Sequence, residues 1–232
     1  MKPKPNQLFF LFALVSLAEI AFITTNNQTL RYFSKPFIIP LLMAIYLSLQ
    51  NPRKPILKDF ILLGLFFSWI GDVLLQSENL FVPGLISFLT AHIFYIVFFV
   101  KTKSSQTSFF KLRPIMLIAV MAYLVEFMNI LWPTLGGMKI PVLFYGITIS
   151  TMLSAALWQY QKLDNKTALF FIIGAILFVT SDSLLALNRF KEPFAMAGVS
   201  IMSTYILEQL FIVIGAIQLH QQVEEKTTNE IQ

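Results

Sequence analysis

The chain has 232 residues, of which 56% are hydrophobic and only 12% are charged. An ordinary soluble domain carries about 25% charged residues, so this composition excludes a disordered chain and argues against a soluble globular domain. Cysteine is absent, which excludes disulfide frameworks and thiolate metal sites, and the 2 histidines are too few for a multi-histidine metal centre. The net charge of +5 does not indicate a nucleic-acid partner, because basic residues on such a chain usually mark membrane topology.

Apolar segments follow one another along the whole chain, and eight of them are long enough for a spanning helix, which takes about 20 residues. They run approximately over residues 8–24, 33–49, 57–76, 80–100, 112–131, 139–160, 167–187 and 194–219. Short polar stretches, many of them containing proline or glycine, separate these segments. The sequence therefore predicts an all-α integral membrane protein with one eight-helix transmembrane domain over residues 1–222 and a polar C-terminal tail over residues 223–232.

The basic residues predict the orientation of this domain. Eight crossings place both termini on one side, and the loops on that side hold most of the Lys and Arg residues. The loops on the opposite side hold five: Arg31, Lys35, Lys139, Arg189 and Lys191. Because cytoplasmic loops carry the excess of basic residues, we predict that the N- and C-termini are cytoplasmic.

An internal repeat is visible at a shift of 110 residues, which aligns residues 56–100 with residues 166–210 without a gap. The shift pairs Asp72 with Asp182, Gly64 with Gly174, Pro83 with Pro193 and Tyr95 with Tyr205. Four spans separate the copies, so they predict two parallel four-helix repeats, 1–110 and 111–220, related by an axis along the membrane normal. The alternative is a chance match favoured by the composition.

Ionisable side chains inside spans form the second signal, since each costs at least about 2.5–3.5 kcal/mol at mid-bilayer. The set comprises Glu19, Asp72, His92, Glu126, Asp182 and Glu208, with Lys35 at the mouth of the second span. Chain direction places all of them between the midplane and the outer surface, and at helical spacing Ser68 shares a face with Asp72. We therefore predict a polar cavity that opens outward or toward the outer leaflet.

Simpler interpretations exist for most of these groups. Glu19 and Glu126 could reach interfacial water, Glu208 could pair with a neighbour, and His92 could be a hydrogen-bonded core histidine. Lys35 could be an ordinary interfacial lysine. The two aspartates fit such explanations least, because they are short, lie about two turns inside the boundary and occupy matching repeat positions.

Two carboxyl groups that converge in a low-dielectric cavity repel each other, so one is expected to keep a proton while the other ionises. Such a pair can act as general acid and general base in a hydrolysis that passes through an oxocarbenium-like cation. The same pair could carry the coupling proton of a transporter for a small solute or lipid. Spacing alone leaves both hypotheses open, together with a non-catalytic lipid-binding protein.

Several short motifs, taken in order over essentially the whole chain, resemble the YhhN family of lysoplasmalogenase-like membrane proteins. They are Lys35-Pro36, Gly71-Asp72 with Leu74-Leu75, Ala91-His92 with Tyr95, Ser181-Asp182-Ser183 with Leu184 and Asn188, and Tyr205 with Gln209. The resemblance implies hydrolysis of the vinyl ether bond of a lysoplasmalogen, or of a related ether lysolipid. The products would be a fatty aldehyde and a glycerophospho head group.

The resemblance also implies roles for these residues. One of Asp72 and Asp182 would donate a proton, the other would activate water, and His92 would tune or relay protons. Lys35 would meet the substrate phosphate or pair with an aspartate, while four residues would line the head-group pocket: Tyr95, Asn188, Tyr205 and Gln209. Independently of the resemblance, we expect four polar residues within the spans to support the site: Glu19, Ser68, Glu126 and Glu208. We expect no metal and no cofactor, a lysophospholipid substrate drawn from membrane lipid, and a location in a bacterial cytoplasmic membrane.

Overall fold

The computed structural model describes residues 4–49, 55–102, 114–160 and 163–229. Every regular element in these ranges is helical and none is a strand, so the prediction of an all-α protein is confirmed. The long helices are α1 (Pro5–Thr24), α2 (Gln28–Ser48), α3 (Pro55–Leu74), α4 (Phe81–Lys101), α5 (Pro114–Leu131), α6 (Lys139–Leu157), α7 (Asn165–Ala186) and α8 (Ala197–Asn229). Short 3₁₀ turns at Glu78–Leu80 and Gly136–Met138 precede α4 and α6, and a π-helical turn at Leu187–Lys191 follows α7.

Two helix boundaries differ from the hydropathy-based ones. Helix α2 begins at Gln28 rather than near residue 33, because the Asn27 side chain accepts a hydrogen bond from the backbone N–H of Leu30 at 3.1 Å and caps the helix. Helix α8 continues to Asn229, ten residues past its predicted end. Hydropathy marks where an apolar run stops, whereas Gln, Glu and Lys still favour the helical backbone. The helix therefore continues into the predicted polar tail.

Seven of the long helices, all except α3, are long and apolar enough to cross a membrane. Helix α3 carries Asp59 as well as Asp72, and it packs along α2 and α4, which are both candidate spans. Helix α3 therefore lies side by side with helices that are candidate membrane spans. Part of the basic charge used to predict orientation, including Arg53, Lys54 and Lys111, lies outside the described residues, so cytoplasmic termini stay a prediction.

The bundle is apolar on its outside and partly polar within. Large side chains such as Phe10, Phe33 and Phe144 are exposed, as suits helices surrounded by lipid. Charged and amide side chains, by contrast, are buried between the helices, among them Glu19 and Glu208. This distribution is the one expected of an integral membrane protein with a polar interior site.

Helix packing follows a two-fold pattern. Helices α3 and α4 form one close hairpin and α7 and α8 form another, while α2 packs on α3 and α8 as α6 packs on α7 and α4. Each of these contacts maps onto its counterpart when four helices are counted forward. The pattern supports the internal repeat, which stays a prediction.

Small residues set the distance between helices of the first hairpin. A Cβ atom at Gly64 would lie 2.3 Å from the Tyr95 ring, and one at Gly71 would lie 2.5 Å from the Phe88 ring. These rings pack where a larger side chain would stand, which is how small residues bring membrane helices together. The approach at Gly71 brings α3 close to α4 next to Asp72.

Proline fixes the contact between α2 and α3. Pro40 has no N–H, so the carbonyl of Pro36, one turn earlier, loses its helical donor. The Trp69 indole N–H donates to this carbonyl at 2.9 Å. The hydrogen bond ties α3 to α2 about one turn from Asp72 and next to Lys35, so it helps to set the register between these two side chains.

The Gly64 contact yields a stability prediction. Gly64→Ala should lower the free energy of unfolding by about 1–3 kcal/mol, because the buried Tyr95 ring must move to make room for the methyl group. Thermal unfolding of purified protein in detergent measures the effect. The control is Gly137→Ala, where nothing lies within 4 Å of the added atom, and it should leave the transition unchanged. Equal transitions for both variants would contradict the close packing.

The orientation can be tested with two matched cysteines in this naturally cysteine-free chain. Asn79 and Asn165 are both exposed and lie at opposite ends of the bundle, before α4 and at the start of α7. In intact cells, Asn79→Cys should react with a membrane-impermeant thiol reagent, and Asn165→Cys should react only after lysis. The reverse pattern would invert the topology.

Candidate active site

One polar cavity of about 200 Å³ lies at the end of the bundle where α3 and α7 finish and α2 and α8 begin. Asp72 and Asp182 both line it, together with Lys35 and Tyr205. Three of the ionisable residues predicted to share one level, Lys35, Asp72 and Asp182, thus reach the same cavity, and Tyr205 joins them from a fourth helix. Because both carboxyl groups face the same space, a substrate in the cavity could meet them together.

Asp72 is almost fully buried, and two helices supply its partners. The Lys35 ammonium group of α2 lies 3.3 Å from Oδ1, and the Tyr205 hydroxyl group of α8 donates to Oδ2 at 2.5 Å. A cation and a hydroxyl donor together stabilise the carboxylate form of this side chain. Lys35 therefore pairs with an aspartate, which is one of the two roles expected of it.

Asp182 has a different environment. The Tyr145 hydroxyl group of α6 donates to Oδ2 at 2.9 Å, and His92 Nε2 of α4 lies 3.4 Å from the same oxygen. The histidine is close enough for an ion pair but lacks hydrogen-bond geometry, and its ring packs on Phe178 with centroids 4.3 Å apart. No lysine or arginine pairs with Asp182 among the described residues, so the two aspartates are chemically distinct.

One partner of each aspartate corresponds under the 110-residue shift. Tyr145 stands 110 residues after Lys35, as Asp182 stands 110 residues after Asp72. Each aspartate thus meets the equivalent residue of α2 or α6, and each is also reached from the hairpin of the other half, by Tyr205 or by His92. One contact is an ion pair with a lysine and the other is a hydrogen bond from a phenol, so the two aspartates have different chemical partners.

Three predicted residues form a buried chain next to Asp72 rather than part of the cavity wall. The Tyr95 hydroxyl group donates to Gln209 Oε1 at 2.7 Å, and Gln209 Nε2 donates to Ser68 Oγ at 3.2 Å. Ser68 lies one helical turn from Asp72 on α3. This chain links α3, α4 and α8 beneath the cavity, so Tyr95 and Gln209 act on the site through packing.

Glu208 lies one turn from Tyr205 on α8 and is fully buried. Neither of its carboxyl oxygens has a hydrogen-bond partner among the described residues, and the same is true of both ring nitrogens of His92. Unpaired buried polar groups are costly, so each of them calls for an explanation. Glu208 and His92 thus place polar atoms without hydrogen-bond partners among the described residues near the aspartates.

The remaining predicted residues take other positions. Glu126 is exposed on α5, and Asn188, in the π-helical turn, accepts a 3.4 Å hydrogen bond from the backbone N–H of Phe194. The structure brings neither to the cavity. Glu19 is fully buried and does not reach interfacial water, since Arg31 and Ser34 of α2 bind its two oxygens.

Asp182 also lines two narrow apolar crevices of about 30 Å³ each. One lies toward Phe81 and Phe190, and the other runs between α5, α6 and α7 past Tyr123 and Gly146. The Tyr123 hydroxyl group bonds to the Ser183 hydroxyl group across this second crevice. Asp182 therefore stands where a polar cavity meets apolar space.

Sequence reasoning missed two residues of this site. Tyr145 carried a signal, because the same 110-residue shift that paired the aspartates pairs it with Lys35. Arg31, which lines the cavity, was assigned to a loop because α2 was expected to begin later than it does. Among the described residues, no three His, Asp or Glu side chains cluster as a metal ion would require, and the absence of a metal from the chemistry stays a prediction.

A polytopic helical bundle with paired acids around one internal cavity defines a membrane protein with an intramembrane polar site. Within this class, the chain belongs to the YhhN family, whose model matches residues 30–216. The resemblance seen in the motifs is thereby confirmed. No solved structure matches the chain.

Curated relatives include enzymes from animals and bacteria. Lysoplasmalogenase TMEM86A of Homo sapiens is 28% identical over 71% of this chain and 68% of its own length. Lysoplasmalogenase TMEM86B of Homo sapiens is 31% identical over 67% of this chain and 62% of its own length. Lysoplasmalogenase of Mycobacterium tuberculosis is 28% identical over 75% of this chain and 67% of its own length. The alignments thus cover about two thirds of these relatives.

Breaking the Lys35–Asp72 pair should destabilise the protein. Lys35→Met removes the cation from a buried carboxylate and should lower the free energy of unfolding by about 3 kcal/mol. Adding Asp72→Asn to that variant removes the uncompensated charge and should recover much of the loss. Thermal unfolding of the variants in detergent measures both effects. A double variant no more stable than Lys35→Met would contradict the pairing.

Proposed function

We propose that this protein hydrolyses the vinyl ether bond of a lysoplasmalogen, or of a related ether lysolipid, to a fatty aldehyde and a glycerophospho head group. The observation that carries the proposal is that Asp72 and Asp182, from different helices, line one cavity. The lysoplasmalogenase names of the relatives support the same chemistry. The transporter alternative is not favoured, because these relatives bear the name of an enzyme.

The junction at Asp182 supports a specific placement of the substrate. A lysoplasmalogen is polar up to its glycerol ether oxygen and apolar beyond it, so its scissile bond lies where polarity changes. Asp182 stands at such a boundary, between the polar cavity and the apolar crevices. In this arrangement the head group occupies the cavity, and the alkenyl chain runs along a crevice toward lipid.

The environments of the aspartates suggest which one is the acid. Vinyl ether hydrolysis starts with protonation of the carbon two bonds from the oxygen, which gives an oxocarbenium ion. Asp182 is the proton donor in our proposal, since it lies at the scissile bond without an ammonium or guanidinium partner. His92, beside it, is the group that resupplies the proton.

Asp72 then serves as the anion. Its carboxylate, held by Lys35 and Tyr205, stabilises the oxocarbenium ion and accepts a proton from the attacking water. The resulting hemiacetal breaks down to the aldehyde and the free glycerol hydroxyl. One water is consumed, and the proton gained by Asp72 balances the one lost by Asp182, so proton transfer between them restores the site.

The lysophospholipid substrate would reach the cavity from the membrane in which the helices lie. With cytoplasmic termini, the cavity end of the bundle faces away from the cytoplasm. A bacterial cytoplasmic membrane as the location, and the single domain over residues 1–222, stay predictions.

Substitution of either aspartate tests the mechanism. Asp72→Asn and Asp182→Asn should each lower aldehyde release from a 1-alkenyl lysophospholipid by about 100-fold or more, as expected when a general acid or base is lost. The matched control is Glu126→Gln, which neutralises an exposed carboxylate of α5 and should keep full activity. Full aldehyde release by both aspartate variants would contradict the proposal.

The position of the new proton provides an independent measurement of the same mechanism. Hydrolysis in D₂O, with the aldehyde trapped at once by reduction, should place solvent deuterium on the carbon next to the former carbonyl. A product without deuterium there would exclude carbon protonation and the role given to Asp182.

A further inference from the structure

A second acid–base pair stands at the mouth of the cavity, and the reaction proposed above does not use it. Arg31 of α2 lines the cavity and keeps 26% of its side chain exposed. Its Nε lies 3.1 Å from Oε1 of Glu19, a fully buried carboxylate of α1. The contact with Glu19 fixes the orientation of the Arg31 guanidinium group at the cavity, so the pair can form part of a binding site.

The Glu19 carboxylate is engaged on both oxygens. Arg31 binds Oε1, and the Ser34 hydroxyl group donates to Oε2 at 2.5 Å. A buried pair of this kind adds little net stability, because desolvation offsets the attraction between its charges. What it does provide is geometry: it holds the Nε edge of the guanidinium group against α1. Among the described residues, the Nη edge has one long contact, 3.4 Å from Nη1 to Gln28 Oε1, and it can take another acceptor.

Arg31 and Lys35 are four residues apart and share a face of α2, about 6 Å apart along the helix axis. Lys35 lies next to the catalytic carboxylate Asp72 at 3.3 Å, and Arg31 lies one turn nearer to the mouth. The phosphate of a lysophospholipid is likewise separated from its ether bond by the glycerol unit. A substrate whose vinyl ether meets the aspartates therefore extends its phosphate toward Arg31.

We infer that the mouth of the cavity is a phosphodiester site, in which the Arg31 guanidinium group binds the head-group phosphate and Glu19 is the positioning residue that aims it. The planar guanidinium fork matches two phosphate oxygens, which a lysine ammonium group does not. This inference rests on the proposed function for the identity of its lipid ligand. It moves the phosphate contact from Lys35 to Arg31 and gives the buried Glu19 a role.

Kinetics of Arg31 variants test this inference. Arg31→Gln should raise KM for a 1-alkenyl lysophospholipid about 10-fold or more, because a charge-assisted contact is lost, while kcat changes little. Arg31→Lys should give an intermediate KM, and Glu19→Gln should raise KM in the same direction. The control Lys139→Gln removes a cation that lies over the Trp132 ring at 5.3 Å, away from the cavity, and should leave KM unchanged.

A binding assay separates this site from the hydrolysis. The probe is a saturated 1-O-alkyl lysophospholipid, which has no vinyl ether to cleave, compared with the phosphate-free 1-O-alkylglycerol. Arg31→Gln should weaken binding of the first probe and not of the second, in protein that is otherwise intact. If the wild-type protein releases no aldehyde yet shows this difference, the proposed function fails and the phosphate site stands.

Two outcomes would overturn the inference. One is an equal effect of Arg31→Gln on both probes, which would show that Arg31 only supports the fold. The other is displacement of the lipid probe by low millimolar inorganic phosphate, which would assign the site to the free anion. If Arg31→Gln folds poorly because Glu19 is left unpaired, the double variant Glu19→Gln/Arg31→Gln removes that charge and should still discriminate less between the probes.

Discussion

The need to hold carboxyl groups inside an apolar bundle is the constraint on which the rest of this structure depends. Lipid surrounds the helices and offers no partner, so a buried acid is stabilised only where groups from another helix meet it, and Glu208 has no such group among the described residues. Glu19 and Asp72 are met by Arg31 and Lys35 of α2, and Asp182 by Tyr145 of α6. These contacts hold the helices in place around the cavity, and the cavity is the space left between these helices.

The same constraint separates the chemistry of the two halves. Their packing is nearly equivalent, yet the residue that reaches the aspartate is an ammonium group in one half and a phenol in the other. Two similarly packed halves thereby present an ammonium group and a phenol to one cavity. Two carboxyl groups that act as acid and base must differ in protonation, and this requires different surroundings for each of them.

Close packing holds this arrangement in place. The Gly64–Tyr95 approach brings α3 and α4 together, and the chain from Tyr95 through Gln209 to Ser68 ties that hairpin to α8. Tyr95 and Gln209, predicted to line the head-group pocket, are hydrogen-bonded in this chain and are not among the residues that line the cavity. Their motif positions were visible in the sequence, but whether a polar side chain faces a cavity or another side chain depends on helix rotation, which hydropathy does not report.

The sequence by itself determined the all-helical membrane class and the family, and it singled out the two aspartates as candidate site residues. An apolar composition and a few costly intramembrane charges are strong local signals. Helix ends were less well predicted, since the capping residue Asn27 and the polar end of α8 lie outside any apolar run. Only the tertiary structure decided that both aspartates share a cavity, and that Arg31 joins them. The contacts that bring the two aspartates to one cavity join residues 37 to 133 positions apart, and no local pattern encodes such distances.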